Sequence, residues 1–225
     1  MMRTELVVAT RNKKKLKEIK YLLKGCNFKI TSLSDYRRLP EIIEDGVTFK
    51  QNAIKKATII AGVLKKLCLG EDSGLEVRAL GNRPGVFSAR YAGKNADDRE
   101  NNKKLLRELE GIPRTKRQAR YVCSVALVDA RGIIGVVQAT CSGLIAFQQR
   151  GSSGFGYDPL FLVPKYNKTF AELGERIKHT MSHRSKALQK ARRLILARQK
   201  SNRQGSYAYP RLHRQSCQHS RQALW

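Results

Sequence analysis

Apolar and polar positions alternate between two periods along this chain. ELVVAT (5–10) and FKITSL (28–33) are short, nearly continuous apolar runs of strand length. Between them, KKKLKEIKYLLKG places Leu16, Ile19, Leu22 and Leu23 at helical spacing, with lysines on the other faces and Gly25 as a stop. The opening therefore predicts strand, loop, helix, strand, the seed of an α/β fold whose loops gather at one end of a sheet. GVTFKQNAIKKATIIAGVLKKL (46–67) predicts a longer helix, with Phe49, Ala53, Ala57, Ile60, Ala61 and Leu64 recurring at three and four and Thr48 as its N-cap.

LCLGED (67–72) and LEVRAL (75–80) read as two strands broken at Asp72-Ser73-Gly74, followed by a turn at RPG (83–85) and a charged helix over 97–109. ARYVCSVALVD (119–129) alternates, turns at DARG and returns through IIGVVQATCSGLIA as a β-hairpin. GSSGFGYDP (151–159) is a glycine-rich loop leading into the strand-like LFLV. Residues 182–200 predict a final basic helix with Leu188, Ala191, Leu194 and Ile195 inward. From Ser201 the periodicity is lost and Ser, Gln and Arg dominate. The expectation is one domain over 1–200 and a basic, disordered tail over 201–225.

The chain has 225 residues, enough for one sizeable α/β domain or two small lobes sharing a core. Its longest apolar runs are far too short to span a bilayer. Glu5 interrupts the opening MMRTELVVAT, a poor signal peptide, so a cytoplasmic location is expected. Five scattered cysteines with no CxxC argue against a zinc site and against a disulfide framework. The formal net charge is +27, and no Asp or Glu follows Glu175. Such a field attracts polyanions, whether nucleotides, nucleic acids or anionic surfaces.

Four sets of residues could carry chemistry. TRNKKK (10–15) lies where a strand hands over to a helix, and backbone N–H groups at a helix start favour an anion. Lys15 adds a charge one turn in, but from this stretch alone an ordinary N-cap with solvated lysines is the better reading. Glu44-Asp45 precedes Gly46, and Glu71-Asp72 ends a strand. Carboxylates on two loops suit Mg²⁺, which takes one or two of them plus waters and substrate phosphates, and Lys56 could approach the same ion or phosphate. The plain alternative is a pair of polar turns. GFGYDP (154–159) offers close backbone approach, the Phe155 ring and the Asp158 acceptor. In KHTMSHR (178–184), Ser182 reads as an N-cap, and Lys178, His183 and Arg184 could meet a nucleobase edge.

Taken in order, TxNxxK (10–15), EDGxTFxxNAxxKA (44–57), EDSGLEVxALGxxPGxxSARYAG (71–93), RQARYVC (117–123), GFGYDP (154–159) and KxxxSHRxxA (178–187) closely resemble the inosine/xanthosine triphosphate pyrophosphatase family. The resemblance covers roughly 5–197. It implies an elongated, two-lobed α/β fold with a long mixed sheet flanked by helices and the active cleft between the lobes. It implies a homodimer that hydrolyses dITP, ITP or XTP to the monophosphate and pyrophosphate with Mg²⁺. It places triphosphate contacts on the Thr10–Lys15 segment (Thr10, Arg11, Asn12, Lys13, Lys14, Lys15) with Lys56 nearby, and metal carboxylates on Glu44 and Asp72. Asp72 also becomes the proton acceptor, with Ser73 beside it. Base contacts fall on Phe155, Gly156, Tyr157, Asp158, Lys178, His183 and Arg184. The competing reading is a basic nucleic-acid-binding protein, and weak non-specific binding through the tail is compatible with either.

Overall fold

The computed structural model describes residues 4–204. Eight strands form one mixed sheet: β1 (Thr4–Val8), β2 (Phe28–Ser32), β3 (Leu67–Val77), β4 (Arg83–Pro84), β5 (Gln118–Asp129), β6 (Gly132–Ile145), β7 (Phe161–Val163) and β8 (Lys168–Thr169). Their order is β2-β1-β3-β5-β6-β7-β8, with β4 added on β3. β1 runs parallel to β2 and β3, and all remaining pairings are antiparallel. Five helices flank it: α1 (Lys13–Leu22), α2 (Phe49–Leu64), α3 (Asp98–Glu108), α4 (Phe170–Met181) and α5 (His183–Gln204).

Period-two burial divides the first half of the sheet into two faces. Leu6 and Val8 of β1, Leu67 and Leu69 of β3, and Val125 and Leu127 of β5 pack with Ile19 and Leu23 of α1 and Leu188, Ala191 and Ile195 of α5. Val7, Cys68, Ala126 and Val128 face the other way, onto Ala53, Ala57, Ile60 and Ala61 of α2. A third cluster lies further along the same long strands. There Leu75, Val77, Tyr121, Cys141, Ile145 and Phe161 pack with Leu105 and Leu109 of α3 and Phe170 of α4. β3, β5 and β6 thus run through two lobes, and Glu71–Gly74 lies where one core gives way to the next.

The main departure from the sequence reading is at that seam. β3 is not broken at Asp72-Ser73-Gly74. β5 pairs with it residue by residue from Cys68↔Val128 to Val77↔Ala119, and this ladder carries the strand straight through the polar residues. Gly74 serves close approach rather than a turn. A Cβ there would lie 2.4 Å from Ser88 Oγ and 2.6 Å from the Gly85 carbonyl. Arg78–Leu80 leaves the strand as a 3₁₀ turn. α4 was not foreseen. A Thr169–Glu172 capping box starts it, and Gly174 at φ 75 breaks it, which hides the helical period in the sequence. Thr48 caps α2 as expected, and Ser182 accepts from the Ser185 amide at the start of α5. α5 continues past Lys200 to Gln204, and the rest of the expected tail, 205–225, lies outside the described residues. Among the described residues no helix is long and apolar enough to cross a membrane.

A polar knot ties the parallel edge. Glu5 of β1 accepts from Thr31 of β2 at 2.9 Å and from Lys66, just before β3, at 2.6 Å, and Tyr36 bonds the same carboxylate. Lys66 first, then Tyr36, holds the Glu5 carboxyl down at about 2 against an ordinary 4.5. A depressed folded value means that ionised Glu5 stabilises the fold above about pH 4.5, and that contribution fades as pH falls toward 2. Glu5→Gln is expected to lower Tm at neutral pH and to flatten the loss of stability across that window, measured by circular dichroism during acid titration.

Candidate active site

β1 stops at Val8, paired with Leu69, while β3 runs on. The Glu71–Gly74 backbone therefore has no β1 neighbour on that edge. The loop after β1 fills the gap and turns into α1, a crevice at the carboxyl end of a strand of the kind ligands occupy in α/β sheets. Asn12 caps α1, its side chain accepting from the Lys15 amide at 3.0 Å, and its own amide donates to Thr10 Oγ1 at 3.1 Å.

Strand alternation sends the adjacent acids Glu71 and Asp72 to opposite faces. Asp72 meets α2: Lys56 Nζ is 3.0 Å from Oδ1, and Asn52 Nδ2 donates to Oδ2 at 3.2 Å. Lys56 Nζ is also 3.0 Å from Glu44 Oε1. Asn52 accepts from the Gly46 amide at 2.8 Å, so one side chain fixes the Glu44–Gly46 loop to Asp72. Glu71 meets α1 and α5. Lys15 Nζ lies 2.9 Å from Oε2, and Arg184 donates to Oε1 through Nε at 3.2 Å and Nη2 at 3.1 Å. Arg184 Nη2 also reaches Ser73 Oγ at 2.8 Å, and its Nη1 pairs with Glu18.

Electrostatics separates these acids. Burial would raise Glu71, but Arg184, Lys15 and Lys56 outweigh it and hold the carboxyl well below the usual range. Burial also raises Asp72, and here the pull of Lys56 and Lys15 does not cancel it. Glu44, paired with the same lysine, falls below its ordinary value despite partial burial. Of the two carboxyls facing Lys56, Asp72 is thus pushed above its ordinary value and Glu44 below it.

Two adjoining cavities share Asn12, Lys15, Ser73 and Ala89. The larger, about 620 Å³, brings together Thr10, Arg11, Asn12, Lys15, Glu44, Lys56, Asp72 and Ser73. The smaller is walled by Phe155, Gly156, Tyr157, Lys178, His183 and Arg184. Lys178 lies 4.6 Å from the Phe155 ring centroid and donates to Glu18 at 2.9 Å and to Asp158 at 2.6 Å. His183 stacks on Tyr121 with centroids 4.5 Å apart. Burial first, then Arg184 and Lys178, pushes its imidazole well below the ordinary range, leaving a neutral ring whose Nδ1 has no hydrogen-bond partner among the described residues.

Some named residues fall outside. Lys13 lines neither cavity, and Lys14 is exposed, 3.6 Å from Asp98. Asp158 is buried behind Phe155, accepting from its amide at 3.0 Å, and so positions the ring. Asp45 pairs with Lys55 at 2.6 Å, away from the carboxylate pair. The sequence reading missed Glu18, Asn52, Asp98 and Asn102. Asp98 accepts from the Gly156 amide at 2.8 Å and Asn102 donates to its carbonyl at 3.0 Å, so α3 grips the glycine loop. Asn52 was visible in principle, since it lies four before Lys56 on the buried stripe of α2. Glu18 had no such signal among lysines that face solvent.

A profile of the Ham1 family matches residues 6–194. The chain belongs to the Ham1 family. Among curated Ham1 relatives, the dITP/XTP pyrophosphatase of Desulforamulus reducens is 48% identical over 191 residues, 85% of this chain and 95% of that one. The dITP/XTP pyrophosphatase of Geobacter sulfurreducens is 48% identical over 82% of this chain and 93% of its own. Among solved structures, the HAM1 protein from Coxiella burnetii has a TM-score of 0.79 at 38% identity, covering 86% of this chain and 99% of that one. The Staphylococcus aureus Ham1 protein gives 0.78 at 37%, covering 87% and 100%. The long mixed sheet with flanking helices is thus the Ham1 fold, as the motifs implied.

Removing one partner of a buried ion pair leaves an uncompensated charge. Glu71→Gln is expected to destabilise the protein by about 3–5 kcal/mol. Asp45→Asn, at an exposed pair, should leave the denaturation midpoint essentially unchanged. Urea denaturation checks both.

Proposed function

We propose that this protein hydrolyses deaminated purine nucleoside triphosphates (dITP, ITP and XTP) to the monophosphate and pyrophosphate, and that it does so with Mg²⁺. The observation that carries the reading is the junction of two unlike cavities at Lys15 and Ser73, one built for phosphates and a cation, the other for a purine. The dITP/XTP pyrophosphatases similar over most of the chain support the same substrate class.

The donor set suits magnesium. Glu44 and Asp72 present hard carboxylate oxygens to a cavity that Glu41 also lines, and among the described residues no three acidic, His or Cys side chains cluster into a closed metal cage. An ion there would complete its shell with water and phosphate oxygens, as Mg²⁺ typically does. When bound it supplies charge neutralisation for the phosphates.

The chain's own groups account for the remaining work. The Asn12-capped start of α1 offers amides to an anion, and Lys15 and Lys56 add positive charge where the leaving pyrophosphate develops its own. Asp72, whose burial raises its affinity for a proton, accepts the proton of the attacking water as oxygen bonds to the α-phosphorus and the bond to pyrophosphate breaks. Lys56 and Asn52 hold that carboxylate from both oxygens, which fixes its aim.

Rejection of adenine follows from donors left over. Lys178 has three N–H groups, two of them committed to Glu18 and Asp158. Arg184 has five, four of them committed to Glu71, Ser73 and Glu18. Each cation thus has one N–H left uncommitted among these bonds, and both line the smaller cavity. A 6-oxo group accepts from them, whereas the 6-amino group of adenine would face like donors and leave buried groups unpaired.

A panel of dITP, XTP, dATP and dGTP with Mg²⁺ tests the reading. Pyrophosphate release is expected to favour dITP or XTP, and Asp72→Asn should lower the rate about 100-fold or more. Equal rates across the panel, or an undiminished Asp72→Asn enzyme, would refute it.

A further inference from the structure

A separate cavity of about 550 Å³ opens between α1 and α4, and neither half of the candidate active site uses it. Only Phe155 is common to it and the smaller active-site cavity. Its volume falls within the span of small-ligand pockets, about 300–1,000 Å³. α1 supplies Lys17 and Tyr21. α4 supplies Arg176 and His179 from the segment beyond the Gly174 break.

Tyr21 is 56% exposed as a residue, although its ring is stacked on His179 with centroids 4.3 Å apart and planes at 26°. His179 Nε2 has no hydrogen-bond partner among the described residues. One aromatic ring is therefore backed by another, with its outer surface open to a ligand. Lys17 reaches Glu175 at 2.9 Å, but the pair is exposed and holds its geometry weakly. Glu18, the other acid here, is committed to Lys178 and Arg184. The groove is left with cations beside a supported aromatic face, the combination that stacks nucleobases with little regard to sequence. A membrane surface fits less well, because lipid binding wants a protruding apolar face and these rings line a concavity.

We propose that this groove is a second nucleotide-binding site, in which a base stacks on Tyr21 and its phosphate lies against Lys17 and Arg176. A free nucleotide and one residue of a single strand offer the same chemistry, and the net charge of +27 favours the polyanion. The inference is independent of the pyrophosphatase reading, since binding is measured without turnover.

The test uses the full chain and fluorescence anisotropy with a labelled oligo-dT of about twelve residues, inside the usual single-strand site sizes. Unlabelled dTMP serves as competitor, and anionic phosphatidylserine vesicles form a separate arm. Tyr21→Ala keeps the net charge, so it separates stacking from general attraction. It should weaken oligo-dT binding about tenfold, whereas Tyr21→Phe retains it. Arg176→Gln should weaken binding and reduce the salt slope by about one phosphate. Displacement by dTMP with the same Tyr21 dependence supports the site with a free nucleotide as its ligand. Equal affinity in wild type and Tyr21→Ala would overturn the proposal. So would vesicle binding with oligo-dT ignored, or no binding to either nucleic-acid probe.

Discussion

A guanidinium buried in the middle of the molecule governs much else. Arg184 is 2% exposed, and an unpaired charge in such a place is not tolerated. It is held by Glu71 from β3, Glu18 from α1 and the Ser73 hydroxyl. Those bonds fix the first turn of α5 against the strand and against α1. The same Glu18 carboxylate then holds Lys178, whose second partner, Asp158, holds the Phe155 loop. One chain of charge compensation thus joins α1, β3, α4, α5 and the glycine loop. Both cations that line the smaller cavity are anchored by it.

Such a network adds little net stability, because desolvation consumes most of the attraction. Its value lies in positioning. The seam between the two cores is where apolar packing stops and polar groups can be held without water. Glu71, Asp72 and Ser73 occupy that seam on a strand stiffened by β5, and alternation delivers two neighbouring acids to two different tasks. One anchors Arg184, and the other joins Glu44 and Lys56.

Much of this was legible in the sequence because it is local. The opening βαβ pattern, the α2 stripe below Thr48 and the long hairpin all follow from periodicity and capping. The ordered motifs gave the family and brought most of the site residues into view. Three things were hidden, each for a physical reason. The unbroken β3 depends on its partner strand rather than on its own Asp-Ser-Gly. α4 is interrupted by Gly174, which masks its period. Glu18, between Lys17 and Ile19, looks like a solvated helix residue, and only α4 and α5 folding over it reveal a buried anchor.

On the proposed reading, anchored Lys178 and Arg184 select the base. The deciding quantity is the ratio of kcat/KM for dITP to that for dATP in Lys178→Met, set beside the wild type, with Tm recorded for each. A collapse of the ratio in a variant that still melts cooperatively is the predicted result. A folded Lys178→Met enzyme that kept the wild-type preference would contradict the claim.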